Sequence, residues 1–176
     1  LTRLTEAALI TSRPGEVARR RTELTLTALG EQALSVIRAE TSRIIRTNLT
    51  SAYVVAHAAL GAMGAGGRFV FVSSSSSHAP QPGRSAYSAS KAGLNAFAAA
   101  LAGEVERDGI AVHVLTVGPV ETPMLDDVRF PMRTLGVAEV GAAVVWLGSP
   151  PPNAPPPEGP RRRAPPCAGC TTSSRR

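Results

Sequence analysis

Hydrophobic and polar positions alternate most regularly between residues 40 and 149. The runs RFVFVS (68–73) and IAVHVL (110–115) are rich in β-branched and aromatic residues and predict strands. VAEVGAAVVWLG (137–148) predicts a helix that ends at a glycine. Two further helices are predicted by apolar stripes at spacings of three and four. The first stripe contains Leu49, Tyr53, Ala56 and Leu60. The second, in a helix predicted over 86–107, contains Leu94, Phe97, Leu101 and Val105.

The order helix, strand, helix, strand, helix is typical of crossover units on a parallel sheet, so the predicted fold class is α/β. Residues 1–39 show no decisive period, and residues 150–176 are too rich in proline and arginine to form a core. The predicted organisation is an atypical N-terminal segment at 1–39, one α/β domain at 40–149 and a disordered Pro/Arg-rich tail at 150–176.

Composition and charge narrow the class of protein. No apolar stretch reaches the roughly 18 to 20 residues that cross a bilayer, and no signal-like leader is visible, so we expect a cytoplasmic protein without a membrane partner. The net charge is +6, but the last 26 residues supply +4 of it, from five arginines and one glutamate. The remainder has no basic face with interleaved aromatics, so no nucleic-acid partner is expected. The tail's CAGC (167–170) lacks a second ligand pair, so no metal site is predicted.

Tyr87 and Lys91 stand four positions apart in SAYSASKAG (85–93), among serines and alanines. On a helix they share one face, where an ammonium stabilises a nearby phenolate and lets the tyrosine transfer a proton near neutral pH. The spacing alone also fits a solvated helix. Two neighbours favour the catalytic interpretation: Ser74, thirteen residues earlier at a strand end, and Asn48 at the start of the preceding predicted helix.

Four segments resemble, in order and near-normal spacing, the motifs of classical short-chain dehydrogenases/reductases: RTNLTSAYVVAHAAL, GRFVFVSSSSS, SAYSASKAGLNAFAAALAGEV and VGPVETPM. The resemblance covers about residues 40–149 and implies part of a Rossmann-like, doubly wound parallel sheet. It implies hydride transfer between NAD or NADP and a small-molecule carbonyl or alcohol substrate. It also implies a homo-oligomer, because the helices that begin near Asn48 and Ala86 commonly pack against a neighbouring subunit in this family.

The resemblance also implies residue roles. Tyr87 would be the general acid or base, and Lys91 would support it while binding the nicotinamide ribose. Ser74 would orient the carbonyl or alcohol, and Asn48 would hold a water that relays protons toward Lys91. Besides Tyr87 and Lys91, the cofactor-binding residues implied are Gly118, Pro119, Val120 and Thr122, the last two at the nicotinamide carboxamide.

Alternatives stay open for single residues and for the whole chain. Asn48 fits a plain helix N-cap equally well, and the choice of Ser74 within the serine run 73–77 depends on the thirteen-residue spacing. The family's TGxxxGxG turn and NNAG segment do not occur in residues 1–47, and its final strand does not follow VVWLGS. The alternative to an NAD(P)-dependent oxidoreductase is therefore a truncated or frameshifted remnant without independent catalytic activity.

Overall fold

The computed structural model describes residues 2–14, 22–123 and 134–150. The helices and strands in this part of the chain are α1 (Thr2–Glu6), β1 (Ile10–Pro14), β2 (Thr22–Leu26), α2 (Ala28–Ile45), α3 (Ser51–Leu60), β3 (Arg68–Ser74), α4 (Ser85–Val105), β4 (Ala111–Val117) and α5 (Val137–Gly148). Short π and 3₁₀ segments join some of them: Arg46–Thr50, Ser75–Ser77 and Glu106–Asp108. The prediction of a disordered tail falls almost wholly outside the described residues.

The centre of the fold is the parallel pair formed by β3 and β4, which are joined through α4. Their register runs from Arg68 opposite Ala111 to Ser74 opposite Val117. Parallel neighbours need a long crossover connection, and α4 supplies it. The predicted crossover unit is therefore confirmed, and the carboxyl ends of both strands lie at the same edge.

Helix α4 provides most of the hydrophobic core. Its inward stripe contains Leu94, Ala98, Leu101 and Val105, which pack with Phe71 of β3. Leu101 is completely buried. The helix gives way to a 3₁₀ turn and then to Gly109, whose φ of +68° is the left-handed conformation that glycine adopts most easily. The predicted end of this helix at Asp108-Gly109 is confirmed. Helix α5 packs on the same two strands without contributing to this core cluster.

The helix that carries Asn48 begins much earlier than the sequence pattern predicts. Thr27 caps α2 by accepting a hydrogen bond from the Gly30 N–H at 3.0 Å, and its hydroxyl donates to the Ala8 carbonyl at 2.6 Å. Gly30 packs so closely on the Leu9 carbonyl that no β-carbon fits between them. These contacts tie the helix start to the antiparallel pair β1–β2. The helix then continues through the π segment Arg46–Thr50 into α3.

No helix in the described ranges is both long enough and apolar enough to cross a membrane.

Candidate functional site

The serine run begins at the carboxyl end of β3. Ser73 and Ser74 are the last two residues of the strand, and both are buried. Ser74 has an extended backbone and caps the 3₁₀ turn Ser75–Ser77, because its Oγ accepts a hydrogen bond from the Ser76 N–H at 3.2 Å. The Ser77 hydroxyl donates to the Ser74 carbonyl at 2.6 Å. Since Ser74 Oγ accepts from the backbone, its own proton stays available to a ligand.

The first half of α4 is tied to the same strand end. Lys91 Nζ donates to the Val72 carbonyl at 2.9 Å, and the Ser73 hydroxyl makes a long bond of 3.5 Å to the Lys91 carbonyl. The Lys91 ammonium lies 5.9 Å from the centroid of the Tyr87 ring, at the limit of a cation–π contact. The Tyr87 hydroxyl itself makes no hydrogen bond to any described residue. The structure thus places the Lys91 ammonium against β3, with the Tyr87 ring beside it.

The charge on Lys91 is held in a partly dehydrated position. Burial lowers the pKa of its ammonium, since charge is less stable away from water. Its hydrogen-bond partner at Val72 is a neutral carbonyl. An ammonium has three donors, and within the described ranges Val72 uses one of them. Two donors remain for hydroxyl groups of a ligand.

Asn48 lies within the helix and not at its start. It belongs to the π segment Arg46–Thr50, whose flanking residues Ile45 and Ser51 have helical φ and ψ. The N-cap interpretation is therefore wrong, because a capping residue has non-helical backbone angles. Single π turns inside helices are frequent at functional sites.

The side chain of Asn48 points to α4. Its Nδ2 donates to Ser90 Oγ at 3.1 Å, and Ser90 Oγ in turn donates to the Tyr87 carbonyl at 2.7 Å. Ser90 is completely buried. Asn48 is therefore coupled to the backbone of Tyr87 through Ser90, a residue that the sequence analysis did not single out. The predicted water relay toward Lys91 stays a prediction.

The loop after β4 reaches the same edge of the sheet. Val117 is paired with Ser74, so Gly118 follows directly beside the serine run. Pro119 accepts a hydrogen bond from the Leu135 N–H at 2.8 Å, and the Glu121 N–H donates to the Leu135 carbonyl at 3.0 Å. These two bonds clip the loop to the residues just before α5. Met124, the last residue of the GPVETPM motif, lies outside the described residues.

All four cofactor-binding residues predicted after β4 lie in this loop: Gly118, Pro119, Val120 and Thr122. Val120 forms an isolated parallel bridge with Leu135. The Thr122 hydroxyl is exposed and donates to the Val120 carbonyl at 3.3 Å. A β-carbon added to Gly118 would meet no atom within 4 Å, so there is open space beside this residue. The loop therefore offers an exposed hydroxyl at Thr122 and open space at Gly118, the residue that follows Ser74's strand partner Val117.

A groove at the other end of the strands is separate from these residues. It is lined mainly by Leu60, Met63, Glu104, Asp108 and Ile110, which precede β3 and β4 or end α3 and α4. No group of three or more potential metal ligands occurs among the residues that the structure describes.

The comparisons with known proteins identify the family of the chain. The family model for short chain dehydrogenase matches residues 28–132, and the chain belongs to this family. It is 34% identical to the acetoacetyl-CoA reductase of Cupriavidus necator, over 64% of this chain and 51% of that protein. It is 37% identical to the 3-oxoacyl-(acyl-carrier-protein) reductase FabG of Salmonella typhimurium, over 62% of this chain and 50% of that protein. The chain spans about half the length of the curated relatives it matches.

Solved structures of the family share the fold. A crystal structure of BdcA in complex with NADPH has a TM-score of 0.59 and 28% identity, over 64% of this chain and 51% of that one. A short chain dehydrogenase from Burkholderia cenocepacia in complex with NADP has a TM-score of 0.54 and 29% identity, over 58% of this chain and 46% of that one. The predicted α/β class with part of a Rossmann-like parallel sheet is confirmed.

Proposed function

We propose that this chain is an NAD(P)-dependent oxidoreductase that interconverts a carbonyl and an alcohol, with Tyr87 as the general acid or base. The observation that carries the proposal is the attachment of α4 to the end of β3. Lys91 Nζ bonds to Val72 O, two residues before the buried Ser74, and the Tyr87 ring lies beside the Lys91 ammonium. The contacts between α4 and β3 support a common site for the proposed proton donor Tyr87, the cation Lys91 and the orienting hydroxyl of Ser74.

The residues at this edge suit the nicotinamide end of a dinucleotide. The Lys91 ammonium has donors left for ribose hydroxyls, and the exposed Thr122 hydroxyl and the backbone at Val120 can hydrogen-bond a carboxamide. The open space at Gly118 leaves room for a flat ring beside Ser74. The NADPH and NADP complexes of the two structural relatives support the same cofactor class. When bound, the nicotinamide cofactor supplies the hydride.

The chain's own residues handle the proton. During reduction the Tyr87 hydroxyl donates its proton to the oxygen of the carbonyl, and during oxidation the phenolate takes it back from the alcohol. The Lys91 charge stabilises the phenolate that is left. Ser74 Oγ already accepts a backbone N–H, so its hydroxyl proton is free to hydrogen-bond the same substrate oxygen. Asn48, through Ser90, holds the backbone of Tyr87 in place.

A titration with NADPH, and separately with NADH, tests the proposal. We expect saturable binding that Lys91→Ala weakens and that Arg43→Ala leaves unchanged. Arg43 is a suitable control because it is an exposed cation paired with Glu40 on α2. Turnover is then measured with acetoacetyl-CoA, a substrate class suggested by the names of the relatives. Absence of binding at millimolar cofactor would reject the oxidoreductase.

The alternative is a member of the family without independent catalytic activity. It is supported by the length of the match, since the chain spans about half of its curated relatives. Such a protein would keep the Tyr87–Lys91 helix but would neither bind the dinucleotide nor turn over a carbonyl. The titration separates the two candidates, because only the oxidoreductase shows binding that depends on Lys91.

We also propose that the protein is a homo-oligomer. The long helix through α2 and α3 exposes several large apolar side chains, among them Val36, Tyr53, Val54 and Val55. Val36 and Val55 are 68% and 65% exposed. Light scattering after size exclusion should show a dimer or larger species, and Val55→Asp should shift it toward the monomer. A monomer at high protein concentration would contradict the proposal.

A further inference from the structure

Asn95 of α4, one helical turn beyond Lys91, contacts the 3₁₀ turn Ser75–Ser77 that follows β3. Asn95 Nδ2 donates to Ser77 Oγ at 3.0 Å and lies 3.4 Å from His78 Nε2. The Ser77 hydroxyl donates to the Ser74 carbonyl at 2.6 Å. Three groups thus form a continuous path from α4 to the backbone of Ser74.

The direction of each proton in this path is defined. A serine hydroxyl has one proton, and Ser77 uses it on the Ser74 carbonyl, so Ser77 Oγ can only accept from Asn95. Asn95 must therefore present its amide N–H and not its carbonyl oxygen. Hydrogen bonds arranged in series in this way polarise and strengthen one another.

Asn95 keeps this geometry at a cost. Its Oδ1 is buried and has no hydrogen-bond partner among the described residues. A buried acceptor without a partner is destabilising, so stability alone favours an apolar residue at this position. Such a local conflict is typical of positions where function sets the residue type.

Asn95 lies on the same side of α4 as the two candidate catalytic residues. Tyr87, Lys91 and Asn95 follow each other at spacings of four, so they succeed one another along one side of α4. Lys91 holds this side to Val72, on the strand before Ser74, and Asn95 holds it to the turn after Ser74. The serine lies between two fixed points on the helix that carries the tyrosine.

We propose that Asn95, acting through Ser77, is a positioning residue that holds Ser74 in register with Tyr87. The inference rests on the proposed function, in which Ser74 and Tyr87 contact the same substrate oxygen. It adds a residue that sets their relative placement without touching the substrate itself.

Amide hydrogen exchange tests the positioning without any need for turnover. Asn95→Asp has nearly the same shape, but its carboxylate only accepts and draws the Ser77 proton away from the Ser74 carbonyl. We expect the amides of Ser76, His78 and Ala79 to exchange about tenfold faster in Asn95→Asp and Ser77→Ala. Amides around Leu101 should keep their protection, which shows that the helix is intact.

Matched variants of the same turn complete this test. Ser77→Thr keeps the hydroxyl and should retain the slow exchange. Ser75→Ala removes an exposed hydroxyl that bonds to no described residue, so it should have no effect. Unchanged exchange in Asn95→Asp, with the helix intact, overturns the proposal.

Kinetics with acetoacetyl-CoA and the preferred cofactor test the link to Ser74. Asn95→Asp should lower kcat about tenfold or more with little change in the KM for cofactor. In a Ser74→Ala background the same substitution should cost nothing further, because residues that act through one group are not additive. Full additivity of the two losses overturns the positioning role. Faster exchange together with a wild-type chain that binds no cofactor supports the positioning and rejects the proposed function.

Discussion

The two halves of α4 bury different kinds of side chain. In the first half, Ser85–Asn95, the buried side chains are two hydroxyls, Ser88 and Ser90, and one apolar residue, Leu94. In the second half the buried positions are Ala98, Leu101 and Val105, all apolar. Both halves pack against the β3–β4 pair, the first at its carboxyl end and the second beneath the core of the sheet.

The difference concerns buried polar groups, which are confined to the half of the helix that carries the candidate site residues. Burial of Leu101 removes a large apolar surface from water, which is the main stabilising contribution in a core. A buried serine hydroxyl contributes little unless it is hydrogen-bonded. The small side chains of the first half instead permit close approach, since a β-carbon at Gly93 would lie 3.0 Å from Leu49 Cδ2. The first half therefore combines buried hydroxyls with one core residue, whereas every buried position of the second half belongs to the hydrophobic core.

The largest expected effect is a loss of catalytic activity on substitution of Tyr87, in the first half of α4. Tyr87→Phe removes only a hydroxyl that makes no hydrogen bond to the described residues, so the melting temperature should change little. Loss of a general acid should lower kcat for carbonyl reduction by about 10²- to 10⁴-fold. Steady-state kinetics and circular dichroism measure both quantities. Tyr53→Phe, at the half-exposed tyrosine of α3, serves as the control and should retain activity.

The second effect concerns the stability of the other half. Leu101→Ala should lower the free energy of unfolding by about 2 to 5 kcal/mol, because it leaves a cavity in the core. Urea denaturation measures this change. Leu29→Ala, at a leucine that is 52% exposed, is the matched control and should cost less than about 0.5 kcal/mol. Equal losses in the two variants would contradict the assignment of α4's second half as the core.

A third effect separates two buried serines of the first half. Ser90→Ala removes the partner of the Asn48 amide and should cost about 1 to 3 kcal/mol of unfolding free energy. Ser88→Ala removes a buried hydroxyl that has no partner among the described residues, so it should be neutral or slightly stabilising. The two variants are compared by urea denaturation. The reverse order of stability would show that Ser90 does not couple the helices.

The smallest expected effect is a pH dependence that originates at Lys91. Burial lowers its pKa in the folded protein, so between that lowered pKa and its ordinary value the unfolded chain binds more protons. The free energy of unfolding should therefore rise with pH through this window. Below the window Lys91 is charged in both states, and the full cost of burying its charge lowers the stability of the folded protein. Urea titrations at several alkaline pH values should show a smaller rise for Lys91→Met. An identical slope in both proteins would contradict the buried charge.

The local pattern of apolar residues was sufficient to predict the helices and strands in which that pattern is strongly periodic. The predicted strand at 68–73 lies within β3, and the predicted helix at 137–148 matches α5. The part of α2 before residue 40 was not predicted, and its large apolar side chains Leu29, Val36 and Ile37 are exposed in the structure. Its start is decided by contacts of Thr27 and Gly30 with Ala8 and Leu9, which only the folded chain brings together.

The sequence by itself determined that Tyr87 and Lys91 share one side of a helix and that a serine run ends the preceding strand, because these are consequences of helical and strand spacing. Only the tertiary structure decided the partners of the other polar residues. Asn48 meets Ser90 across 42 positions, and Asn95 meets Ser77 across 18. Such hydrogen bonds depend on how α3, α4 and the end of β3 pack together, and short-range pattern carries no information about that packing.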